Sequence, residues 1–197
     1  MSRPKTASDD DVLRATFRAL ARLGPARVTL ADVAAEAGIS AAALVQRFGS
    51  KRALLLAAAS DAAGGADYIF PGLRARHRSP FAALLALADC MRVMGDTRET
   101  VANTLAFLHG DLYDPEFREH ALASARNTHA GIAALVRDAI AAGELVRCNV
   151  NRVACALQAA LEGSLRMWAI HGEGDMAKWI RRDLKAVLDG YRARRQE

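Results

Sequence analysis

The tightest constraint on this chain is Gly38-Ile39-Ser40, three residues that separate two short stretches of helical periodicity. Thr29 stands before the first stretch, where an N-cap hydroxyl accepts from an amide two or three residues on, and Asp32 follows among the exposed first-turn amides. Leu30, Val33, Ala34 and Ala37 recur at helical spacing. Gly38 supplies the positive φ that ends such a helix without a Cβ clash. Ile39 is an apolar plug for the corner, and Ser40 caps a second helix from Ala41 to Phe48. Cap, helix, Gly, apolar residue, cap and helix in this order make a helical corner with a linker too short for any other connection.

Spacing alone leaves two outcomes open. The corner is either a helix-turn-helix whose second helix enters the DNA major groove, or an Ala-rich packing helix of an all-α core. The residue types on the second helix are Ser40, Ala41, Ala42, Ala43, Val45, Gln46 and Arg47. A Gln amide pairs with the N6/N7 edge of adenine, an Arg reaches guanine or a phosphate, and Ala or Val methyls meet the thymine methyl. Lys51 opens the next helix, where its charge and the free amides around it favour a phosphate. Arg27 and Thr29 are placed to grip the other side in the same way.

With Leu13, Ala15, Phe17, Leu20 and Gly24 before it, Leu44 and Phe48 within it, and Ser50-Lys51-Arg52-Ala53-Leu54-Leu55 after it, the VTLADVAAEAGIS stretch resembles the N-terminal domain of the TetR family of bacterial transcriptional regulators. The resemblance covers roughly the first sixty residues; beyond them the chain is similar to the family only in length and helical pattern. Where members commonly carry Thr-Leu-Tyr in the second helix, this chain has Ala43-Leu44-Val45, so a hydroxyl and a phenol that usually reach phosphates are absent. The resemblance places Arg47 where family members more often hold the DNA backbone than read a base. It implies a homodimeric, ligand-responsive repressor, partnered by a double-stranded operator of near-palindromic sequence and a small-molecule effector, with no cofactor.

The 197 residues suffice for one or two domains and a sizeable core. No apolar run approaches the roughly twenty residues of a membrane span, and MSRPKTASDDDVL lacks an apolar leader core, so a cytoplasmic protein is expected. Cys90, Cys148 and Cys155 are odd in number and form no CxxC pair, which predicts reduced, buried thiols. Lys and Arg total 27 against 22 Asp and Glu, and the formal +5 suits a polyanionic partner without requiring one.

Along the chain, Met1 to about Ser8 reads as a loose arm, and Asp9-Asp10-Asp11 as the capping turn of an amphipathic helix that ends at Gly24-Pro25. Ser50 caps a helix from Lys51 to Ala63, closed by Gly64-Gly65. The following DYIFPGLRARHRSP is expected to be an irregular connection or a short helix at a domain boundary. From Pro80 helix follows helix, with Asp114-Pro115 opening a long one. The expected fold is all-α: a helix-turn-helix DNA-binding domain of three helices over residues 1–50, a connecting helix over 51–65, and a larger effector-binding and dimerisation domain over 66–197.

Two amphipathic stripes close the chain. Leu157, Leu161 and Leu165 line one, while Trp179, Leu184, Val187 and Leu188 line the other. The stripes serve either to close the monomer core or to pair two copies. The resemblance implies the second, with Gly163 allowing close helix crossing. It also implies an effector pocket in the middle helices, for which Met91, Met94, Phe107, His109 and Trp168 are the large, adaptable candidates, although residues of these types are more often ordinary core. His77, His109, His120, His129 and His171 give no zinc pattern, and no catalytic or phosphate-loop motif occurs. An all-helical enzyme or metal protein, or a helical adaptor that binds another protein through the last stripes, remains the alternative.

Overall fold

The computed structural model describes residues 7–193, so most of the expected N-terminal arm lies outside the described residues. Within them every regular element is helical, and the one β-type pairing is a lone antiparallel bridge between Leu145 and Arg192. The α-helices are α1 (Asp9–Arg27), α2 (Leu30–Ala37), α3 (Ala41–Phe48), α4 (Lys51–Ala63), α5 (Ala66–Arg76), α6 (Pro80–Cys90), α7 (Arg98–Leu108), α8 (Pro115–Ala141), α9 (Val150–His171) and α10 (Met176–Asp189). Single 3₁₀ turns follow α6 and α7. No helix among the described residues is long and apolar enough to cross a membrane.

The chain divides into two compact units. The first runs to Ala63 and adds Glu99–Ala121; the second comprises Gly64–Arg98 and the chain from Leu122 onward. Sequence spacing assigned the Glu99–Ala121 segment to the C-terminal domain, whereas its contacts place it with the N-terminal helices.

In the first unit, Ser8 and Asp11 start α1 by reciprocal capping: the Asp11 amide donates to the Ser8 hydroxyl at 3.1 Å, and the Ser8 amide donates to the Asp11 carboxylate at 3.0 Å. At Gly24 (φ 75) the helix kinks, and Pro25–Arg27 add a short further piece where the sequence predicted an end. The core gathers Val12, Leu20, Val33, Leu44, Leu54 and Ala58 from α1 to α4, and Phe107 from α7. The Phe107 ring meets Phe17 and Phe117 edge-on, each at 6.2 Å. Arg52 of α4 forks onto Asp114 and Glu116 at the start of α8, with its guanidinium 5.6 Å from the Phe117 ring centre.

The second unit is built on α10. Helices α6 and α9 both pack against it, burying Leu84, Leu157, Leu161, Ile180, Leu184 and Leu188. The DYIFPGLRARHRSP segment is largely helix α5, because Phe70 and Leu73 are buried one turn apart while Pro71 faces solvent, where its missing N–H costs least. The Phe70 ring lies so close to Gly131 of α8 that a Cβ there would come within 2.2 Å of it. Glu144 accepts the Phe81 amide at 2.7 Å and so closes the start of α6. Cys90 and Cys148 are half-buried, and Cys155 stands exposed on α9 where a buried thiol was expected.

Candidate nucleic-acid interface

The corner forms by local chemistry. Thr29 caps α2: the Asp32 amide donates to its hydroxyl at 3.2 Å, and its own amide donates to the Asp32 carboxylate at 2.9 Å. Those bonds from Thr29 hold the Asp32 carboxyl below the usual carboxylate range. Gly38, in the left-handed region at φ 69 and ψ 30, ends α2, and the Ile39 amide reaches back to the Ala34 carbonyl at 3.0 Å. Ile39 packs against the core of the first unit. Ser40 caps α3 by accepting the Ala43 amide at 3.1 Å.

One residue then orients α3. Leu44 is wholly buried among α1, α2 and α4, and Phe48 packs beside it. The opposite face is turned to solvent: Ala41, Ala42 and Gln46 are exposed, Val45 is 45% exposed, and Ala43 is half-buried. A helix of eight residues held by its inner face, with its outer face bare, has the size and presentation that a major groove admits.

The cations around α3 are less free than the sequence implies. The Arg47 guanidinium donates to the Ala7 carbonyl at 2.7 Å and to the Asp9 carboxylate, tying the end of α3 to the start of α1. Lys51 is half-buried and donates to the Pro25 carbonyl at 2.9 Å, stapling α4 to the kinked end of α1. Arg27 uses its Nε on the Leu23 carbonyl at 2.9 Å. The Thr29 hydroxyl proton goes to Asp32 at 2.6 Å, so while it caps α2 this hydroxyl has no proton for a phosphate. The bonds of Arg47 and Lys51 join residues far apart in the chain, and no spacing rule points to them. The same holds for Asn103 of α7, whose amide donates to the Ala21 carbonyl at 2.9 Å while its side chain fills the hollow at Gly24.

Residues 12–58 match the family model of bacterial regulatory proteins of the tetR family. These residues therefore carry a TetR-type N-terminal segment. Both the matched segment and the named relatives are those of transcriptional regulators. The chain is 25% identical over 180 residues to the HTH-type transcriptional regulator TtgR of Pseudomonas putida, covering 86% of each protein. In fold it is similar to a TetR-family regulator from Agrobacterium tumefaciens, with a TM-score of 0.75 at 19% identity over 97% of this chain and 100% of the other. FadR from Bacillus subtilis, solved in complex with stearoyl-CoA, gives a TM-score of 0.73 at 12% identity over 93% and 99%.

The residues named for an effector pocket are divided between the two units. Phe107 is in the hydrophobic centre of the first unit and His109 is exposed in the same unit, whereas Met91, Met94 and Trp168 belong to the second. Trp168 is buried, and its indole N–H donates to the Glu173 and Gly174 carbonyls at 3.1 and 3.2 Å, closing the end of α9. An aromatic residue at helical spacing does not announce which core it enters.

The residues named for a dimer interface need a similar correction. Leu157, Leu161, Leu165, Leu184 and Leu188 are between 0% and 4% exposed within the single chain, because α9 and α10 close on one another and α10 also packs on α6. They have no surface left for a partner. Trp179 and Val187 are half-buried, with Trp179 stacked on His171 at 5.5 Å and covered by Arg182 at 4.6 Å. Gly163 is exposed, with open space where a Cβ would stand. It lies in a stripe that sequence reading passed over: Ala156, Ala159, Gly163, Met167 and Ile170, all exposed and three or four residues apart on one face of α9.

Proposed function

We propose that this regulator is a cytoplasmic homodimer that represses transcription from a near-palindromic operator and lets go when a small molecule binds its second unit. The observation that carries the reading is the bare outer face of α3 on a helix anchored by the fully buried Leu44. Two such helices related by a two-fold axis engage half-sites about one DNA turn, roughly 34 Å, apart. The small-residue stripe of α9 supports the pairing, because alanines and a glycine let a second helix approach closely and Met167 and Ile170 provide apolar area.

Phosphates are held by cations with donors to spare. Lys51 uses one of its three N–H groups on Pro25, and Arg27 uses only its Nε on Leu23. Their contacts make binding fall steeply with salt. The chain passes between the units three times, at Ala63–Gly64, Arg98–Glu99 and Ala121–Leu122. An effector that prefers another arrangement of the helices in the second unit acts on the first through those joins, with leverage equal to its affinity difference between the two states.

Selection of bound fragments from genomic DNA by the full chain, followed by sedimentation of the free protein and the complex, tests the proposal. A dimer that recovers near-palindromic fragments supports it. A monomer, or a protein that retards no duplex at low ionic strength, overturns it.

A further inference from the structure

The outer face of α3 carries an unusual set of chemistries for a helix in a DNA groove. The stripe holds Ala41, Ala42, Val45 and Gln46, all exposed: three aliphatic side chains and one primary amide. Guanine is read in the major groove chiefly by an Arg or Lys placed against O6 and N7. Arg47 is the cation of this helix, but at 100° per residue it lies about 140° around the axis from Ala42, off the outer stripe. It is also engaged, by the Ala7 carbonyl at 2.7 Å and by the Asp9 carboxylate. Lys51 is half-buried and turned to the Pro25 carbonyl.

What is left on the stripe matches one base pair. A Val or Ala methyl complements the thymine C5-methyl, and a Gln amide complements the N6 donor and N7 acceptor of adenine. We propose that α3 selects a run of A·T pairs in each half-site, with Val45 and Ala42 against thymine methyls and Gln46 on a neighbouring adenine. The inference rests on the proposal that α3 enters the major groove and adds to it the chemistry of the sequence read there. Arg47 serves as a tie between α3 and the start of α1, and contributes nothing to base choice.

The test removes the methyl from the DNA, which leaves protein folding untouched. The full chain selects its best duplex from a random library, and each thymine of that duplex is then replaced in turn by deoxyuridine. The expected consensus has A·T pairs at the centre of each half-site, with a loss of roughly three- to fivefold for each contacted methyl. Val45→Ala abolishes the discrimination at one of those thymines, and Gln46→Ala relaxes the choice of one adjacent adenine by roughly tenfold. Arg47→Ala leaves the consensus unchanged. A consensus with G·C at those positions, or indifference to deoxyuridine everywhere, overturns the inference while DNA binding stands. A protein that retards no duplex sinks the inference together with the proposed function.

Discussion

Helices α3 and α9 both turn alanines to solvent, and their difference shows how similar residues suit different partners. On α3 the bare face belongs to a helix of eight residues, ends in a polar amide at Gln46, and is followed along the chain by Arg47 and Lys51. On α9 the bare stripe runs through a helix of 22 residues, contains Ala156, Ala159, Gly163, Met167 and Ile170, and holds no amide or hydroxyl. A short apolar face with one directional group and cationic shoulders suits a groove walled by phosphates. A long apolar face of small residues suits another helix, because it offers area and close approach but no hydrogen bonds that need matching.

The strongest way to break the comparison is to undo the anchor of α3. Leu44→Ala leaves a cavity at a site with no exposure and is expected to cost about 2–5 kcal/mol, seen as a large drop in the melting temperature of the first unit by circular dichroism. A variant that melts like the parent would mean that α3 is held by something else.

The next largest effect belongs to α9. Gly163→Glu places a charge in open space within the chain, so the fold should be retained by circular dichroism. Sedimentation should nevertheless find a monomer, and operator affinity should fall by roughly a hundredfold as the two half-sites become separate binding events. A charged variant that stays dimeric at unchanged affinity would move the pairing surface off this stripe.

A smaller effect sharpens the role of the cationic shoulders. Lys51→Ala should reduce the slope of log affinity against log salt by about one unit. Loss of stability through the missing Pro25 contact, with an unchanged slope, would make Lys51 a staple alone.

The smallest effect is expected at the caps. Thr29→Ala should destabilise the first unit by about 1 kcal/mol in chemical denaturation at neutral pH. The caps also set a pH dependence. Hydrogen bonds from the Ser8 hydroxyl and from Arg14, with the Ser8 amide, hold Asp11 at about 2 against an ordinary 3.8, and bonds from Thr29 lower Asp32 in the same direction. A carboxylate with a depressed folded-state pKa contributes stability that is complete above about pH 4 and disappears as the pH falls toward 2. Unfolding midpoints measured between pH 5 and pH 2 should fall less in the Asp11→Asn variant than in the parent, and parallel curves would remove the cap from the acid response.

How far the sequence could be read depended on the distance between partners. Gly38, Ser40, Thr29 and Asp32 act on atoms within a few residues of themselves, so the corner and both caps follow from order and spacing. Phe107 does not behave that way. It sits among apolar residues at helical spacing like any core aromatic, and only the packed chain reveals that Phe17 and Phe117 surround it. Arg47 likewise looks like a free cation until Ala7 and Asp9, some forty residues earlier, are found on its guanidinium. The leucines of α9 and α10 form legible stripes, but a stripe has no label for its partner.

By itself, then, the sequence determined the all-α class, the corner at Gly38, and the inner and outer faces of α3. Those rest on backbone conformation, capping and periodicity, which operate over one or two helical turns. The tertiary structure alone decided that Glu99–Ala121 joins the N-terminal unit, that α9 turns its small residues outward, and that Arg47 is tied down. Burial is non-directional, and an apolar side chain or a long cation accepts whichever surface the folded chain brings within reach.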